Sequence, residues 1–273
     1  MAVGAAYGVA MMYRIPGRLA KLRTPLLLAW AALVLLGCSS AKSSSVVPQR
    51  QLDETVVVIH GLGRSGYSMR RLTEQFEQAG YHTHVVDYDS LGEDLDQVVE
   101  QVEQQLTGCC SDTQQVHFVG HSLGGLLTRI YFTQPQSAAL AERLGRVVMI
   151  GTPNHGSALV DRFEQHWWMK WMGGTTLALA TDGVSQQLPL PPFEAGIIAG
   201  DDRPAVAGWI SDPVLGEAND GLVAVSSTQL ANMADFILLD INHWAMRYDR
   251  EVGRQAIHFL QHGQFDHPQA EPQ

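Results

Sequence analysis

The chain of 273 residues carries 28 acidic against 18 basic side chains, a formal net charge of −10, and only three cysteines. That balance argues against a nucleic-acid partner and against electrostatic attachment to anionic lipid headgroups, and the cysteine spacing matches no metal-ligand pattern. First in chain order comes a targeting segment. Arg14, Arg18, Lys21 and Arg23 form a basic region, and residues 25–36 form an apolar stretch, short for a bilayer span and of the right length for a signal-peptide core. Met11 and Met12 are alternative starts, since residues 1–10 add nothing such a segment needs. Leu35-Leu36-Gly37-Cys38 closes the segment, and the polar tract from Ser39 to Ser45 opens a flexible tether over residues 39–50. The four basic residues all precede Cys38, so the chain beyond it keeps 14 basic against 28 acidic residues.

The Leu-Leu-Gly-Cys ending resembles a bacterial lipobox, which implies that residues 1–38 are a lipoprotein signal peptide and that Cys38 is lipidated. Serine rather than aspartate at position 39 implies, by the same resemblance, onward transport to the outer membrane. The expected location is therefore the bacterial cell envelope, outer membrane facing the periplasm, with the acyl chains on Cys38 as the membrane contact. A plain N-terminal membrane anchor is the alternative.

Residues 51–263 alternate strand-like and helix-like segments and suit one α/β domain with a single core, followed by a polar tail over 264–273. Thr55-Val56-Val57-Val58-Ile59 is a buried-strand run ending at His60-Gly61-Leu62-Gly63. A helix with Met69, Leu72 and Phe76 on one face stops at Gly80, and residues 81–88 are strand-like. The next helix has Leu95, Val98, Val99, Val102 and Leu106 at spacings of three and four. The adjacent Cys109 and Cys110 come after it, and a vicinal disulfide and two free thiols are both open readings.

Val116-His117-Phe118-Val119 then runs directly into Gly120-His121-Ser122-Leu123-Gly124-Gly125, with Leu126, Leu127, Ile130 and Tyr131 continuing at helical spacing. Strand, Gly-x-Ser-x-Gly and helix in that order describe a sharp turn that lifts a serine off the end of a sheet, with glycines where neighbouring backbone comes too close for a side chain. Val147-Val148-Met149-Ile150 ends in Gly151-Thr152-Pro153. Two more strand-like runs fall near 195–199 and 235–240, and a helix over roughly 250–261 closes the domain. Continuous apolar strands separated by helices predict a mainly parallel sheet covered on both faces, with active loops at the carboxyl ends of the strands.

Four segments in order carry a further resemblance: His60-Gly61-Leu62-Gly63, Gly120 to Gly125, Gly151-Thr152-Pro153-Asn154-His155-Gly156-Ser157, and Asn219-Asp220-Gly221-Leu222-Val223. With them the chain resembles an α/β-hydrolase of the bacterial lipase and esterase type. The resemblance implies a serine nucleophile, Ser122, that needs a histidine to take its proton and a carboxylate to orient that histidine. The family order of serine, acid and histidine points to Asp220, beyond a variable loop after the 195–199 strand, and to His243, after the last strand. Asp201, Asp202, Asp87 and Asp89 compete for the acid, while His60, His121 and His155 read as loop-shaping residues. The backbone amides of Leu62 and Leu123 are the implied oxyanion donors.

Residues 157–192 fall where this family commonly inserts a lid. Trp167, Trp168, Trp171 and Met172 share one helical face there that could cover a pocket, touch a membrane or pack on the core, and Gly173-Gly174 is a candidate hinge. The reading is a lipid-tethered hydrolase of carboxylic esters, with an ester or lipid as substrate and no cofactor. An acyltransferase or a thioesterase would use the same residues, and a catalytically silent hydrolase-fold envelope lipoprotein is the reading from another class.

Overall fold

A computed structural model describes residues 52–268. The signal segment, Cys38 and the tether lie outside the described residues, as does the end of the tail. The strands β1 (Glu54–Ile59), β2 (His82–Val86), β3 (Gln115–His121), β4 (Leu144–Ile150), β5 (Ala195–Gly200) and β6 (Asp235–Leu239) form one sheet in the order β2-β1-β3-β4-β5-β6. Every neighbouring pair is parallel. The inner strands β1, β3, β4 and β5 carry short apolar runs because both of their faces are buried, whereas the edge strands β2 and β6 are only partly covered. Val57, Ile59, Phe118 and Met149 point into one apolar cluster, and Val56, Val58, Val119 and Val148 into the other.

Helices α2 (Leu95–Leu106) and α3 (Leu123–Tyr131) cover the first face, and α1 (Arg70–Gln78) packs against α5 (Arg250–His262) on the second. Asp249 accepts the amides of Glu251 and Val252 and so caps the start of α5. Cys109 and Cys110, in the turn after α2, are joined by a disulfide. No helix among the described residues is long and apolar enough to cross a membrane.

Two features position the site. The sheet order reverses direction between β1 and β3, and in open α/β sheets such a switch point leaves a crevice at the strands' carboxyl ends. The register also holds the ends level, with Ile59 opposite Gly120, Gly120 opposite Met149, and Met149 opposite Ile197. The loops after β1, β3, β4 and β5 therefore leave the sheet at one rim. The variable loop expected after β5 is instead largely a helix, α4 (Ala205–Leu215), which contains Pro213 and packs against the short helix Ala158–Phe163. Pro213 falls in the last turn, where its missing N–H removes only one bond of the ladder.

Candidate active site

Ser122 joins β3 to α3 in a conformation that few non-glycine residues adopt, φ 55° and ψ −120°. The surroundings hold it there. Its N–H donates to the carbonyl of Ile150, 2.8 Å away on the neighbouring strand. A Cβ on Gly120 would lie 2.5 Å from backbone atoms of Gly124 and Gly125, and one on Gly124 would collide with the Ile59 carbonyl. Glycine at both positions lets α3 start against β1 and leaves the serine side chain at the rim. The Leu123 amide, first in α3, has no acceptor in the helix's own ladder.

Asp220 and His243 meet at the same rim. The carboxylate is 1% exposed, and its Oδ1 accepts the amides of Leu222 at 3.0 Å and Val223 at 2.8 Å. Oδ2 lies 2.6 Å from Nδ1 of His243, whose own backbone N–H donates to the Asp220 carbonyl. Side chain and backbone thus hold the imidazole twice. None of the other candidate acids pairs with His243. Asp87 accepts the Gly66 amide and sits 3.4 Å from His60, Asp89 is exposed, and Asp201 and Asp202 lie just past β5, where Arg203 donates to the Asp201 carbonyl.

Two more histidines stiffen the loops. His121 donates from Nε2 to the His243 carbonyl at 3.0 Å, and its ring centre is 4.8 Å from that of His243. Burial, reinforced by the nearby His243, pushes its pKa well below the ordinary histidine value and keeps it neutral. His60 stacks on Tyr88 at 4.1 Å, donates from Nδ1 to the Gly61 carbonyl and accepts the Tyr88 amide, and burial likewise depresses its pKa. The loop that carries Leu62 is pinned by these contacts.

Ser122, Leu62 and His243 open into one cavity of about 450 Å³. One wall is apolar, built by Leu159, Phe163, Trp168, Met169, Met172 and Leu179 of the 157–192 segment. The shared face expected for Trp167, Trp168, Trp171 and Met172 needs correction. In the short helix Trp167–Trp171, positions 168 and 172 turn toward the cavity, while Trp167 and Trp171, also four apart, are 79% and 75% exposed. Ile210 of α4 completes the lining from a helix that no sequence pattern announced.

Arg129 also escaped sequence reading. Buried beneath the Ser122 turn, it donates to the carbonyl and side-chain oxygen of Asn154 and to the Leu188 and Pro189 carbonyls, and Asn154 in turn donates to Thr228. This links α3 to the loop after β4 and to the Leu188–Pro189 connector. Arginine on a helix face usually means a solvated surface, so only the fold reveals it. No group of His, Cys, Asp and Glu among the described residues forms a cage for a metal ion.

A parallel sheet covered on both faces, with a serine on a strained strand-to-helix turn and an Asp–His pair at the same rim, is the α/β-hydrolase fold. The family model for palmitoyl protein thioesterase matches residues 55–188. Among solved structures, the mature lipase BlEst2 of Bacillus licheniformis superposes with a TM-score of 0.61 at 19% identity, covering 78% of this chain and 92% of its own. Its propeptide form gives 0.65 at 18% identity, covering 82% and 53%. The metagenomic carboxyl esterase MGS0156 gives 0.57 at 18% identity, covering 75% and 69%. No curated protein matches.

Proposed function

We propose that the protein is a serine hydrolase that cleaves carboxylic esters bearing an acyl chain, through an acyl-enzyme at Ser122. The observation that carries this is the buried Asp220–His243 pair opening on the cavity that Ser122 lines. His243 Nε2 takes the Ser122 proton as Oγ attacks the substrate carbonyl, and the amides of Leu62 and Leu123 stabilise the oxyanion. The proton passes to the departing oxygen, leaving an acyl group on Ser122. Water, activated by the same imidazole, then releases the acid. The apolar wall of the cavity takes the acyl chain.

Acyl thioesters are the second substrate class, favoured by the match to the palmitoyl protein thioesterase family, and the departing atom is then sulfur. The lipobox-like Cys38 tethers the enzyme by its acyl chains to the outer membrane, facing the periplasm.

A fluorophosphonate probe should label the folded protein and leave Ser122→Ala unlabelled; folded wild-type protein that resists the probe would favour a catalytically silent binding role. Rates on p-nitrophenyl esters from acetate to palmitate, with and without micelles, set the acyl preference. A steep fall beyond butyrate would refute it. Acyl-chain labelling of cells should mark the wild type and not Cys38→Ala.

A further inference from the structure

A second cavity, of about 550 Å³, adjoins the first and is markedly more polar. Arg64, Arg70, Arg71 and Arg247 line it together with Tyr67 and Tyr248. The two cavities share Arg64 and Arg247, and no side chain of the 157–192 insertion reaches the second. The apolar side chains of residues 157–192 line only the first cavity, Arg70 and Arg71 only the second, and Arg64 and Arg247 belong to both.

These arginines come from both sides of the reaction centre. Arg64 lies two positions after Leu62, and Arg247 four positions after His243. The turns Gly66–Met69 and Met246–Tyr248 pack together, which brings the two sets side by side across some 180 residues of chain. Tyrosine rings hold two of the guanidinium groups, Arg70 over Tyr67 at 5.3 Å and Arg247 over Tyr248 at 5.4 Å.

Their charge is poorly compensated. Arg70 pairs with Glu74 at 2.7 Å, but among the described residues no carboxylate pairs with Arg64, Arg71 or Arg247. Burial and then the proximity of Arg64 depress the pKa of Arg247, as expected for like charges held together. In a chain with 28 acidic residues against 18 basic ones, such a concentration at the mouth of the site calls for an anion. Guanidinium groups converging from several directions suit the multiple oxygens of a phosphate.

We infer that this arginine-lined cavity is a subsite for a phosphate group on the leaving-group side of the substrate. The inference rests on the hydrolase reading. It narrows the substrate to an amphiphile whose acyl chain lies against the insertion and whose alcohol or thiol portion carries phosphate. A phospholipid headgroup and a coenzyme-type phosphate share this chemistry.

Calorimetric titration of Ser122→Ala with coenzyme A and with dioctanoyl phosphatidylglycerol separates the two sources and needs no turnover. At least one should bind, and its affinity should fall about tenfold for Arg64→Gln and further for the Arg64→Gln/Arg71→Gln double variant, with partial rescue by Arg64→Lys. Both arginines are exposed, so neither replacement disturbs the core. In the active protein, the same variants should lower kcat/KM for octanoyl-coenzyme A or for dioctanoyl phosphatidylglycerol relative to p-nitrophenyl octanoate, mainly through KM. Binding of neither probe, or binding and substrate ratios unmoved in the double variant, would overturn the subsite. Arginine-dependent adhesion to anionic vesicles with unmoved ratios would also overturn it, in favour of a surface role. Arginine-dependent binding without hydrolysis of p-nitrophenyl octanoate would keep the phosphate site and refute the hydrolase reading instead.

Discussion

Asp220→Asn tests the hydrolase reading most directly, because the backbone around the carboxylate dictates how an amide must sit. Oδ1 accepts two backbone amides and Oδ2 faces His243 Nδ1 at 2.6 Å. An amide has one oxygen for these two tasks. With its oxygen on the side of Leu222 and Val223, its NH₂ faces the imidazole. The reverse orientation leaves the buried Val223 N–H and the half-buried Leu222 N–H unpaired, the first at a cost of about 1–3 kcal/mol. The first orientation therefore wins. An NH₂ facing Nδ1 forces the imidazole proton onto Nε2, and an Nε2 that carries a proton cannot take one from Ser122. The expected loss is about 10⁴-fold in kcat, roughly 5.5 kcal/mol of transition-state stabilisation. The fold itself loses one charge-assisted bond, worth about 1.5–3 kcal/mol. Steady-state hydrolysis of p-nitrophenyl butyrate, with urea unfolding as the control, measures both. A folded Asp220→Asn enzyme within tenfold of wild type would refute the argument and return the role to Asp201, Asp202, Asp87 or Asp89.

Three further outcomes rest on the same contacts. Gly124→Ala drives a methyl group into the Ile59 and His60 carbonyls, so it should cost about 3 kcal/mol or more in urea unfolding and abolish probe labelling. Arg129→Met leaves the Asn154 oxygens and the connector carbonyls without their donor, and should lower stability by about 3 kcal/mol; an unchanged urea midpoint would show that the link is dispensable. Burial lowers the pKa of His60, His117 and His121, so the unfolded chain binds protons that these folded residues refuse; their stabilising contribution is complete above the ordinary histidine value of 6.5 and is lost as pH falls below it. Urea midpoints at pH 8, 6.5 and 5 should decline in that order over the acid half, and a rise toward pH 5 would contradict it.

Much of this architecture is readable from local pattern. The β1, β3 and β4 runs are near-continuous apolar segments bounded by glycine, histidine and proline, and each became a strand of the parallel sheet. The Gly-x-Ser-x-Gly turn is legible because its demands are steric and local: short contacts at positions 120 and 124 reject any side chain. The segment Ala205–Leu215 resisted the same reading. It is apolar nearly throughout and interrupted by Pro213, so no polar face reveals its period.

By itself, then, the sequence determined the α/β alternation, the strained serine turn, and the order in which candidate acid and base come after it, because these depend on residues close together along the chain. Only the tertiary structure decided which acid meets the imidazole, how the tryptophans divide between cavity and solvent, that Arg129 is buried, and that Arg64 and Arg247 line one cleft. Each of those facts is a contact between segments tens to hundreds of residues apart, set by strand order and register rather than by local propensity.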